Sequence, residues 1–173
     1  MNKSLSRRIS VLAIMVALLV VGKLALTMIP NVEVVSILCA IFSFAFGFIC
    51  VIPTTLFCLI LGIYWGFNVW VIAYLLHFNL LCVVFALLGK KKIDNPIIVA
   101  LIAAVLTFGF GVLDGVLVTV LLGFETFIQR FLAYYLNGVV FVIVHIVSNF
   151  VIFLTVFKPL SMLITNLKEK IKL

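Results

Sequence analysis

Residues 34–64 read VVSILCAIFSFAFGFICVIPTTLFCLILGIY, and whether this run makes one helix or two decides the topology of the whole chain. The run holds no Lys, Arg, Asp, Glu or His. A bilayer crossing takes about 20 apolar residues as helix, so the run is overlong for one crossing. Gly47 and Pro53 mark the natural place to break it into two.

Charge on either side of the run favours the break. Further spanning candidates are Ile9–Met28, Val69–Leu88, Ile97–Leu122 and Phe131–Phe157. Ten of the twelve Lys and Arg fall in three clusters: Lys3/Arg7/Arg8, Lys90/Lys91/Lys92 and Lys158/Lys168/Lys170/Lys172. If 34–64 crosses once, the second cluster is separated from the first by three crossings and lies on the opposite side. If it crosses twice, all three clusters share one side, as the positive-inside bias requires. The expected fold is therefore all-α, an integral membrane bundle of six transmembrane helices with both termini cytoplasmic. The expected helices are 9–29, 34–51, 53–65, 69–89, 97–122 and 131–157. After Pro159, Leu160, Leu163, Ile164, Leu167 and Ile171 recur at helical spacing among lysines, which predicts an interfacial tail helix over 160–172. A single membrane domain over 1–173 is the economical count.

Composition agrees. Apolar residues make up 67% of the chain and charged residues 10%, a balance that bilayer solvent accommodates and water does not. The net charge of +7 describes flanks that meet anionic headgroups, and no basic face interleaved with aromatics suggests nucleic acid. Cys39, Cys50, Cys58 and Cys82 lie inside apolar runs without CxxC or Cys/His spacing, and read as small buried hydrophobes. The basic start followed by Ile9–Met28 is long for a secretory signal and lacks an A-x-A exit, so it reads as the first spanning helix.

Ionisable groups inside hydrocarbon are few, and each needs a partner, a wet cavity or an interface. They are Lys23, His77, Asp114 and His145, with Glu33, Glu125 and Arg130 near the outer helix ends. Lys23, Asp114, Tyr134, Tyr135 and Asn137 fall in the outer halves of their helices, while His77, His145 and Asn79 lie deeper. This asymmetry predicts a cavity that opens outward, with Trp65, Trp70, Tyr64, Tyr134 and Tyr135 able to stack on a ring-shaped solute. The two histidines read as packing residues, and no third metal ligand stands at a useful spacing. GxxxxGK[ST], HExxH and GxSxG are all absent, so no enzyme activity and no resident cofactor or metal are expected. Energy for concentrating a solute would come from an ion gradient or a partner.

Several stretches resemble the substrate-binding (S) subunits of energy-coupling-factor vitamin transporters. They are Ala13-Ile14-Met15-Val16-Ala17 in the first helix, Ile29-Pro30-Asn31-Val32-Glu33 at its outer end, the Lys90/Lys91/Lys92 connection and the closing Phe157-Lys158-Pro159-Leu160. The resemblance covers nearly the whole length. It implies a six-helix subunit of the bacterial plasma membrane that captures a B-vitamin or precursor, cobalamin-related compounds included. A transmembrane T subunit and two cytoplasmic ATPases would then reorient it. Ala13 and Ala17 would give the flat face for the T subunit. The outer connections would close over the ligand, which points to Asn31, Glu33, Trp65, Asn68, Glu125 and Arg130, beside Asp114, Tyr134 and Asn137 from the polarity argument. Two other classes remain: a non-enzymatic scaffold of the cell-shape machinery, which needs no outer polar cavity, and a small membrane enzyme using Asp114, His77 or His145 as acid and base.

Overall fold

Gly47 breaks the long apolar run. Its φ of +79° lies in the region that glycine adopts without steric cost, and it ends the helix Val35–Phe46. One 3₁₀ turn, Gly47–Cys50, leads into a second helix, Val51–Trp65. Pro53 sits in the first turn of that helix, where its missing N–H would have had no partner in any case. The two arms fold back on each other: Cys39 Sγ lies 3.7 Å from Thr54 Oγ1, although fifteen residues separate them in sequence. A straight helix would hold those residues about 22 Å apart.

The structure is a computed structural model that describes residues 3–28, 32, 34–121, 123 and 125–171. Helices are α1 (Lys3–Ala25), α2 (Val35–Phe46), α3 (Val51–Trp65), α4 (Val69–Lys90), α5 (Pro96–Leu121) and α6 (Phe127–Lys170), and no strand occurs among the described residues. Five stretches are long and apolar enough to cross a bilayer, α2 and α3 together with the turn between them forming one of these. By length and composition the chain is an all-helical, multi-pass membrane protein.

Local chemistry sets the helix starts. Asn68 Oδ1 accepts from Val69 N at 2.6 Å to open α4. Asn95 Oδ1 accepts from Ile97 N at 3.0 Å and Ile98 N at 3.4 Å to open α5, with Pro96 at the first helical position. One apolar cluster joins the helices, with Phe57, Phe78, Phe85, Phe153 and Phe157 fully buried at its centre and Met15 and Leu19 contributed by α1. Gly89 of α4 lies directly against the Phe44 backbone of α2, so the two main chains meet where no side chain intervenes. Polar pairs hold the interior as well. Asn79 Nδ2 donates to Thr55 Oγ1 at 3.0 Å between α4 and α3, and Thr54 Oγ1 lies 3.1 Å from Cys82 Sγ.

Several boundaries differ from the sequence expectation. α1 spans Lys3–Ala25 rather than 9–29, and α6 starts at Phe127 rather than 131. The second helix stops at Phe46 rather than reaching 51, because Gly47 turns the chain there. The expected pair of helices 131–157 and 160–172 is instead the single helix α6, which runs through Pro159. The apolar stripe Phe153, Phe157, Leu160, Ile164 stays on one face across the proline and packs against the core throughout. This packing outweighs the one backbone hydrogen bond that proline removes. At 44 residues α6 is about 66 Å long, roughly twice the hydrocarbon thickness, and its last turns lie against the basic end of the bundle, where Lys168 reaches Ala45 and Ile171 meets Arg7.

The basic clusters meet at one end of the bundle. Arg7 Nη1 donates to Ile171 O at 2.7 Å, and Lys168 Nζ donates to Ala45 O at 2.7 Å, capping the C-terminus of α2. Lys90 Nζ stands 4.5 Å above the Phe48 ring, and Lys158 Nζ pairs with Asp94 Oδ2 at 3.6 Å. The opposite end carries the last turn of α1, the first turns of α2, α4 and α6, and the last turns of α3 and α5.

Candidate functional site

α5 and α6 make the most extensive helix–helix contact of the bundle, and small residues let them approach. A Cβ on Gly111 would come within 3.2 Å of Val142, and one on Gly115 within 3.0 Å of the Phe131 ring. Beside these contacts lies a cavity of about 440 Å³, lined by Gly111 and Val142 themselves and open at the exposed Tyr134, Asn137 and Phe141. Asp114 and Tyr134 stand at its upper edge, Asn137 and Phe141 line one wall, and Phe110, Thr107 and His145 reach toward its floor. Helical spacing explains the set: Thr107, Phe110, Gly111 and Asp114 repeat at three and four residues on α5, as Tyr134, Asn137/Gly138, Phe141 and His145 do on α6.

Tyr134 Oη donates to Asp114 Oδ2 at 2.7 Å and ties α5 to α6 at this level. The same two residues also line a second cavity of about 390 Å³, which reaches toward Asn68, Trp70 and Val118. The Asp114–Tyr134 pair thus stands between two adjoining spaces, and its rearrangement would merge them. Below the first cavity, Asn149 is fully buried and its Nδ2 donates to Thr107 Oγ1 at 2.8 Å, while Thr107 Oγ1 donates to Ala103 O at 2.8 Å. This fixed polar step supports the floor.

A ladder of rings leads in from the outer end. Trp65, Trp70, Tyr74 and Phe78 follow one another edge to face at centroid distances of 6.1, 5.3 and 5.2 Å. Tyr74 and His77 meet Phe110 at 5.8 and 4.8 Å, and Phe110 meets His145 at 6.0 Å. Lys23 Nζ sits 5.2 Å from the Tyr74 ring centroid, a cation–π contact at the margin of the ladder.

Of the residues expected from sequence, Asn68, Asp114, Tyr134 and Asn137 come together at the two cavities. Trp65 belongs to the ring ladder and lines neither cavity. Arg130 is exposed in the first turns of α6, about one helical turn before Tyr134, and Glu125 is exposed just before the helix begins; neither lines a cavity. Asn31 and Glu33 lie outside the described residues. Thr107, Phe110 and Phe141 were not foreseen. Thr107 could have been noticed as a hydroxyl deep in an apolar run, but nothing distinguishes Phe110 or Phe141 among seventeen phenylalanines.

Ala13 and Ala17 are exposed on α1, on a flank shared with Ile14, Leu18 and Val21. Among the described residues no cluster of three His, Cys, Asp or Glu is placed to hold a metal ion. No family model, curated protein or solved structure matches the chain. The chemistry available to the site is recognition: ring faces for stacking, an amide and hydroxyls for hydrogen bonds, and one carboxylate.

Proposed function

We propose that the chain is the solute-capture subunit of an ATP-driven micronutrient importer of the energy-coupling-factor type. It sits in a bacterial plasma membrane with six crossings and with its basic end cytoplasmic. The observation that carries this reading is the cavity between α5 and α6, lined by Asp114, Tyr134 and Asn137 at the end opposite the lysines. A volume of about 440 Å³ falls in the range of small-molecule sites and favours a one- or two-ring solute over a whole corrinoid. The clustering of Arg7, Lys90, Lys158 and Lys168 at one end supports a cytoplasmic basic end, and the reversal at Gly47 supports two crossings within residues 34–64.

Capture alone does not concentrate a solute. The chain has no nucleotide-binding motif, so the energy comes from two partner ATPases that act through a T subunit. The exposed small residues Ala13 and Ala17 on α1 suit close approach of a partner helix. The test is thermal stability of the detergent-solubilised chain against a panel of B-vitamins and their ring precursors. A ligand that binds only the folded state raises the apparent midpoint by mass action. A saturable rise with one compound class supports capture, and a folded protein that responds to none refutes it.

A further inference from the structure

The two cavities beside the Asp114–Tyr134 pair carry charge of one sign. Asp114 is the only carboxylate that lines either of them, and no Lys or Arg lines either among the described residues. Lys23 stands 5.2 Å from the Tyr74 ring centroid, and Arg130 is exposed in the first turns of α6. Tyr134 occupies Oδ2 of the carboxylate and leaves Oδ1 as an acceptor. The rings of Phe110, Tyr134, Tyr135 and Phe141 line the first cavity beside Asn137 and, at its floor, Thr107 and the imidazole of His145; Trp70 lines the second beside Asn68 and the aliphatic Val118 and Leu121. A carboxylate at this depth is costly unless a positive charge or strong donors meet it, and aromatic faces attract cations and repel anions.

From this we infer that the solute is a cationic, or ring N–H-donating, heterocycle whose positive centre sits against Asp114 between the aromatic walls. The inference rests on the capture reading and names the charge class of its ligand. An anionic solute would bring a second negative charge beside Asp114 with no lining cation to offset it. A cation replaces the water lost from the carboxylate and stacks its ring on Phe110 or Tyr135. Tyr134 acts as a positioning residue, holding the carboxylate between the two cavities.

A charge series on one ring tests this in the wild-type chain: N-methylnicotinamide cation, neutral nicotinamide and anionic nicotinate, with thiamine as a two-ring cation and biotin as a two-ring anion. Binding is read by thermal midpoint and by quenching of tryptophan fluorescence, since Trp70 lines the second cavity. The expected order is cation over neutral by at least tenfold, with no anion binding. Asp114→Asn should weaken cation binding by tenfold or more, while Asp114→Glu retains most of it. Should Asp114→Asn fail to fold, the wild-type series still decides. Preference for nicotinate or biotin, or cation binding unchanged in Asp114→Asn, overturns the charge inference and leaves capture standing. Binding of no probe of any charge by folded protein counts against both.

Discussion

Replacing Gly138 with leucine separates a binding cavity from an idle space, because only a binding cavity predicts that a variant of unimpaired stability loses its ligand. Gly138 lines the α5/α6 cavity, and a Cβ built on it meets no atom within 4 Å. The first side-chain carbon therefore enters open space, and the rest of the leucine extends into the cavity that Gly138 lines. Glycine inside a helix costs about 0.8–1 kcal/mol relative to good helix formers, so Gly138→Leu should stabilise α6 by about 0.5–1 kcal/mol. In a chain of this size that is a rise of about 1–4 °C in the unfolding midpoint. The new side chain would occupy the space of the solute, and ligand affinity should fall more than tenfold, at least about 1.4 kcal/mol. Gly109→Leu is the control, because its Cβ also meets nothing within 4 Å and it lines neither cavity. It should stabilise to a similar degree and leave binding intact. The assay is a thermal midpoint for each variant, with and without the ligand that shifts the wild type. Wild-type affinity in a folded Gly138→Leu protein would refute the assignment of this cavity, and so would an equal loss in Gly109→Leu.

Other substitutions probe the scaffold and the partner face. Gly89→Ala brings a Cβ into the Phe44 backbone and should cost about 1–3 kcal/mol in denaturant unfolding despite alanine's better helix propensity, whereas Gly109→Ala should stabilise. Lys168→Met removes the cation at the C-terminus of α2 and should cost about 0.3–1 kcal/mol in the same assay, with no effect on ligand binding. Ala13→Leu combined with Ala17→Leu should abolish co-purification with the T subunit and leave ligand affinity unchanged, and assembly at wild-type levels would show that this face of α1 is not the partner surface.

Charge and length made the large features of the fold legible. The break at Gly47 is signalled by a glycine and a proline inside an overlong apolar run, and the structure brings Arg7, Lys90 and Lys168 to one end of the bundle, the arrangement that three basic clusters on one side call for. The continuity of α6 did not follow, because Pro159 is a strong local break signal and the stripe Phe153, Phe157, Leu160, Ile164 that overrides it gains its force only from what α2 and α4 pack against it. At the site, Asp114, Tyr134 and Asn137 stand out as polar groups in apolar surroundings, where sequence carries a signal. Phe110 and Phe141 carry none, since an apolar ring reads the same on a cavity wall, in a core and facing lipid. Glu125 and Arg130 are conspicuous in sequence as outer polar residues, and the structure places both outside the cavity lining, Arg130 about one helical turn from Tyr134 and Glu125 before the helix begins.

The central claim is that the α5/α6 cavity holds a small solute in the cell. The most direct measurement is mass spectrometry of small molecules released by denaturing the chain after purification from its native membrane, alongside Gly138→Leu prepared in the same way. The account predicts one ring-bearing solute in near-stoichiometric amount in the wild type and its loss in Gly138→Leu. The same amount of solute in both proteins, or none in a folded wild type, would contradict it.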